Sequence, residues 1–198
     1  MRERKTREIK DPSIRKKEIL DGAMELFTIK GYEQTSMRDI ASYLHISLGL
    51  CYRYYDSKQV LFEEAMSQYV IECCSLFLSI LHDPNQSFYE KMEQLFQQVH
   101  QEDQIARYHD FFHQPQHTML HEQLGIRIAQ YLTPYIKEEV ERYCKQTHSK
   151  LAHGPSFISF LLYGQIGLLA DIDMPQEEEF QNLYNIVTTL FQQELIPE

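Results

Sequence analysis

Turn-forming residues are scarce. Seven glycines and seven prolines among 198 residues leave little material for the tight turns of an all-β fold, while Leu, Glu, Gln, Lys and Ile dominate long stretches, so a mostly helical chain is expected. Cysteine is sparse as well. Cys51, Cys73, Cys74 and Cys144 form no C-x-x-C pair and no metal-type spacing, which fits reduced thiols and a cytoplasmic setting. The most apolar stretch, Phe157 to Ala170, is interrupted by Ser159 and Gln165 and is too short to cross a bilayer. The start, Met1-Arg2-Glu3-Arg4-Lys5, leads into no apolar run, so neither a signal peptide nor a membrane partner is expected. A glycine-rich phosphate loop, a nucleophile motif and H-E-x-x-H are all missing, and with them the usual marks of an enzyme or a bound cofactor. Internal repeats and low-complexity segments are missing too.

What is present is a full hydrophobic complement, 43% of residues, and an uneven distribution of charge. The net charge of −10 argues against a polyanionic partner only if it is spread evenly. Residues 1–58 carry 12 basic and 9 acidic side chains, a surplus of +3, whereas residues 59–198 carry 7 and 20, a deficit of −13. A basic head on an acidic body implies that only the head meets nucleic acid.

Helix-period apolar positions begin at Ile19 and continue through Ala23, Leu26 and Phe27, and Gly31 stops that helix. Ser36-Met37-Arg38-Asp39 then reads as a capping-box start for a short second helix with Met37, Ile40, Ala41 and Leu44 on its apolar face. Ser47 caps a third helix through Tyr54, and Asp56 with Gln59 repeats the cap pattern for a fourth. Those lengths match a helix-turn-helix, whose last helix lies in the major groove. Beyond residue 56 longer amphipathic helices are expected, separated near Asp83-Pro84-Asn85, Gln114-Pro115 and Thr147 to Pro155. Pro134 is expected to kink or break one of them.

Thr35-Ser36-Met37-Arg38-Asp39-Ile40-Ala41, followed by Leu44, Ile46-Ser47, Gly49, Tyr52, Tyr54-Tyr55, Ser57-Lys58 and Leu61, is similar to the DNA-binding signature of the TetR (AcrR) family of regulators. Ala23, Leu26-Phe27 and Gly31-Tyr32 also match, so the resemblance covers about residues 13–65. It implies an all-α fold of about nine helices: a basic arm (1–12), a helix-turn-helix domain (13–58) and an effector-binding and dimerisation domain (59–198). The function implied is a homodimeric repressor released from a palindromic double-stranded operator by a small molecule. Control by a metal or a protein partner, or activation in place of repression, stays open.

The residues suggest their own roles. The hydroxyls of Thr35 and Ser36, with the backbone N–H groups near Ser36 and Met37, can hold a phosphate, and Arg38 can reach a phosphate or a guanine edge. Ser47, Leu48 and Leu50 would face the groove, with Gly49 permitting close approach. Leu48 and Leu50 can read only apolar groups such as a thymine methyl. Tyr52, Arg53, Tyr54 and Lys58 offer contacts to the flanking backbone. In the body, His100, Tyr108, Phe112, His113, His117, Tyr131 and Tyr163 are candidates for an effector pocket. Phe157, Leu161, Gly164 and Leu168, with Leu183, Val187 and Leu190, are candidates for a dimer interface of the last two helices. His109, His113, His117 and His121 recur at intervals of four, a spacing that can share a metal, but Pro115 interrupts the series and no metal is expected.

Overall fold

The computed structural model describes residues 11–100, 108–112, 118–165 and 177–198. Among these residues the fold is all-α apart from one short ribbon, and the chain divides into two compact units, Met1–Ser67 and Gln68–Glu198.

The first unit holds α1 (Pro12–Lys30), α2 (Met37–Tyr43), α3 (Leu48–Tyr54) and the opening turns of α4 (Lys58–Leu81). Asp11 caps α1 by accepting the Ser13 N–H at 2.8 Å, and Pro12 sits where a missing N–H costs nothing. Gly31 ends the helix at φ 89°, a conformation that disfavours any residue with a Cβ. Ile19, Leu20, Ala23, Met24 and Phe27 are buried, and Tyr32 lies 5.1 Å from Phe27 and 4.9 Å from Phe62 between ring centroids. The cap of α4 is Ser57, whose Oγ accepts the Val60 N–H at 3.1 Å, and not Asp56 as the sequence pattern suggested. Ser57 directly precedes the first helical residue, so its short side chain reaches the third N–H. Leu61, Phe62, Ala65 and Met66 are buried, which carries the unit to Ser67, past the boundary expected at residue 58.

By length and composition alone α4 is long and apolar enough to cross a membrane, a property not expected from its amphipathic pattern. Its apolar residues serve a core in each unit, Leu61 to Met66 in one and Tyr69, Val70, Cys74 and Leu81 in the other.

The second unit continues with α5 (Phe88–His100), α6 (His109–Phe112), α7 (Thr118–Thr147), β1 (Ser149–Leu151), α8 (Pro155–Gly164), α9 (Glu177–Glu194) and β2 (Leu195–Pro197). Phe88 stacks on Tyr143 at 4.4 Å and on Phe191 at 5.0 Å, with Val140 and Ile158 completing the buried cluster. Each such ring pair is worth ~1 kcal/mol beyond its buried area. Of the kink or break expected at Pro134, the break does not occur, and α7 runs through it. Leu132 and Val140 are buried on either side of it, and that packing offsets the one backbone hydrogen bond a proline removes. β1 and β2 pair antiparallel, Lys150 opposite Ile196, and the ribbon is closed by Ala152 N–H donating to the Glu194 carbonyl at 2.9 Å. Neither strand was foreseen, since three residues are too few to show alternation. The break expected near Gln114-Pro115 lies outside the described residues.

One buried polar cluster also went unforeseen. The Lys91 ammonium, 2% exposed, donates to the Leu81 carbonyl at 2.8 Å and to Glu139 Oε1 at 2.9 Å, while Arg142 lies 2.7 Å from Glu139 Oε2. It joins the end of α4, α5 and α7 at one point.

Candidate nucleic-acid interface

The geometry of α2, the turn and α3 follows from a few local interactions. Ser36 Oγ accepts the Asp39 N–H at 3.2 Å and the Asp39 carboxylate accepts the Ser36 N–H at 2.8 Å, a complete capping box. Lys30 at the end of α1 pairs with Asp39 at 3.0 Å and fixes the start of α2. The Ser36 hydroxyl, then the Ser36 N–H, then Lys30 hold the Asp39 carboxyl far below the usual range. A depressed acid lends stability above its unfolded value of about 4 and loses it as pH falls. Thermal stability of the first unit should therefore fall more steeply between about pH 5 and 2 in the parent than in Asp39→Asn. Parallel slopes in calorimetry would show that the capping box carries no such contribution.

His45 makes the turn in the left-handed region at φ 54°, Ile46 N–H reaches the Ala41 carbonyl at 2.9 Å, and Ser47 Oγ accepts the Leu50 N–H at 3.2 Å to start α3. Cys51, fully buried, anchors α3 in the core, and burial pushes its thiol up. The Tyr55 hydroxyl reaches the Lys16 carbonyl and Glu64, both at 3.4 Å, so the end of α3 is held against α1 and α4.

Two glycines show the difference between a packing position and an open one. A Cβ at Gly22 of α1 would lie 2.4 Å from Leu44 Cδ2, whereas one at Gly49 of α3 would meet nothing within 4 Å. Gly22→Ala should cost stability by displacing Leu44. Gly49→Ala should add up to about 1 kcal/mol of helix propensity while weakening DNA binding. Melting curves and duplex titrations on the two variants check this; unchanged affinity in Gly49→Ala would remove Gly49 from the interface.

The expected contact residues separate into three groups. Ser36, Arg38, Ser47, Gly49, Tyr52 and Arg53 are exposed; Leu48, Leu50, Tyr54 and Lys58 are half-buried; Thr35 and Met37 are buried. Thr35 departs from its expected role, because its hydroxyl donates to the Gly31 carbonyl at 2.7 Å and is spent inside the fold. The Met37 side chain is likewise core, and the Ser36 N–H is taken by Asp39. Lys58 is partly committed as well, donating to the Tyr32 carbonyl at 2.7 Å with its ammonium 4.1 Å from the Tyr32 ring centre. Among the described residues of this unit, Arg15, Lys16 and Lys30 are ion-paired, and Lys17, Arg38 and Arg53 are the cations without a protein partner. Arg38 and Arg53 lie on α2 and α3, where a polyanion can complete them.

In the second unit four of the expected effector residues have described side chains. Phe112 is fully buried and stacks on Tyr69 at 4.6 Å, which makes it core. Tyr131 lies 5.9 Å from Tyr135 on α7, Tyr108 is half-buried at φ 69°, and Tyr163 is 40% exposed on α8. The side chains of His100, His109, His113, His117 and His121 lie outside the described residues, as does Leu168. Of the expected interface residues, Phe157 packs against the core cluster, Leu161, Leu183 and Val187 are half-buried, and Gly164 and Leu190 are exposed. Phe160 at 69% and Ile186 at 56% are the most open apolar side chains of α8 and α9 among the described residues, and neither was among the residues expected there. Their signal was available: Ile186 sits three residues after Leu183 and four before Leu190, on the same stripe.

Residues 19–65 match the family of bacterial regulatory proteins named for TetR. Solved structures with the same fold include one from Mesorhizobium loti assigned to the TetR family (16% identity, 94% of this chain and 99% of that one, TM-score 0.60). Another is Salmonella enterica GusR (19% identity, 94% and 100%, TM-score 0.58). The match to the TetR family model is thus one of the N-terminal domain. Among curated proteins the chain is similar to IcaR of Staphylococcus aureus, the HTH-type negative transcriptional regulator of the biofilm operon icaADBC, at 34% identity over 76 residues. That alignment covers 37% of this chain and 38% of the relative.

Proposed function

We propose that this chain is a transcriptional regulator that represses by binding a palindromic operator as a homodimer and lets go when a small molecule occupies its second unit. The observation that carries the DNA-binding half is the pair of unpartnered guanidinium groups, Arg38 and Arg53, on adjacent helices of the one basic unit in an acidic chain. A role as a repressor is supported by the similarity to a negative regulator. The dimer is supported by the open apolar side chains Phe160, Tyr163, Ile186 and Leu190 on α8 and α9, which a second copy would cover as a four-helix bundle. Paired heads are needed because one helix-turn-helix reads too few base pairs for specificity.

The test is selection of bound duplexes from a random library by the full-length chain, followed by titration of the enriched duplex in the presence of a metabolite library. Two-fold symmetric sequences and a compound that weakens binding support the reading. Asymmetric or unenriched sequences contradict the operator, and a library without effect contradicts the effector.

A further inference from the structure

We infer that Leu50 is a specificity-determining residue, reading the operator by packing against the 5-methyl group of a thymine in the major groove. The inference rests on the DNA-binding reading above and names what the bound duplex must contain.

Cys51 is fully buried and sets the inward direction of α3. At about 100° per residue, Gly49 and Arg53 then lie opposite it, with Leu50 and Tyr52 on the two flanks. Observed exposure agrees: Gly49, Tyr52 and Arg53 are open and Leu50 is half-open. Leu48 is half-open like Leu50 but falls only about 60° from Cys51, nearer the inward side of the helix. The outward half of α3 thus offers three side chains, Leu50, Tyr52 and Arg53.

Tyr52 and Arg53 can hydrogen-bond phosphate or base edges, but Leu50 can neither donate nor accept. A polar base edge set against it would lose its water without gaining a partner, which is a cost. Among the groups that base pairs present in the major groove, the thymine 5-methyl is the apolar one. Reach favours the contact. Gly49, next in the chain, has no Cβ and open space around it, so α3 can approach closely enough for a side chain as short as leucine to touch a base.

The experiment takes duplexes enriched from a random library by the full-length protein and synthesises the best with thymine or with deoxyuridine at the T·A pair retained in each half. Burial of one methyl predicts about a 4-fold loss per half-site on removing it, roughly 15-fold for both. Leu50→Ala should bind the thymine duplex more weakly and no longer distinguish it from the deoxyuridine form. Replacing that pair with C·G should weaken binding, and 5-methylcytosine there should recover part of it. The deoxyuridine comparison changes only the DNA, so it holds however Leu50→Ala folds. Equal affinity for the two duplexes, or an unchanged ratio in Leu50→Ala, overturns the role of Leu50 and leaves DNA binding standing. If no duplex is enriched, both readings fall.

Discussion

Glutamate at both Ile186 and Leu190 should give a folded monomer that has lost its operator. These side chains are 56% and 38% exposed in the single chain, so charge there does not enter its own core. In a four-helix interface the same positions are buried, and two carboxylates from each copy would face one another without partners. Specific sites are typically bound at least about 10³-fold more tightly than random DNA, and a monomer forfeits most of that margin. Leu183 and Val187 are poorer places for the test, because both are half-buried within the chain and glutamate there would also disturb the fold. Sedimentation and duplex titration measure the two halves of the outcome. A variant that remains dimeric would move the interface away from α9.

Lys91→Ala should be the most damaging single change in the second unit. It strands the Glu139 carboxylate, 5% exposed, beside Arg142 alone and leaves the Leu81 carbonyl at the end of α4 without its donor. Removing one member of a buried pair costs about 3–5 kcal/mol, a large part of the 5–15 kcal/mol that holds a typical domain together. Lys91→Met combined with Glu139→Leu should recover much of the loss, because no buried charge is then left behind and Arg142 still reaches solvent. Denaturant titration decides it. If the double variant is as unstable as Lys91→Ala, the cost lies in packing and not in the stranded carboxylate.

Why some elements were legible in the sequence and others were not follows from how far apart their determinants lie. The stop at Gly31, the capping box at Ser36 and Asp39 and the cap at Ser47 each depend on residues within one helical turn. The persistence of α7 through Pro134 depends on tertiary packing, and the Lys91–Glu139 pair joins residues 48 positions apart, so no local pattern announces either. In the candidate interface the structure commits the Thr35 hydroxyl, the Met37 side chain and, in part, the Lys58 ammonium inside the fold. A hydroxyl or an ammonium suits a phosphate by type, and only the structure reveals that the Gly31 and Tyr32 carbonyls already take them. The stripe on α9 was visible as a stripe, but period alone does not say that Phe191 turns into the core cluster while Ile186 stays open.

The most direct test of the account is duplex binding against salt for the parent chain and for Arg38→Ala combined with Arg53→Ala. The parent should bind the selected operator with an affinity that falls steeply as salt rises, since neutralised phosphates release counterions. The double variant should melt like the parent, bind more weakly and show a slope shallower by about one for each phosphate it no longer neutralises. An arginine that reads a guanine would add a loss of about 1–3 kcal/mol at that base pair alone. Full affinity with an unchanged slope in the double variant would contradict the assignment of the α2–α3 face as the surface that binds DNA.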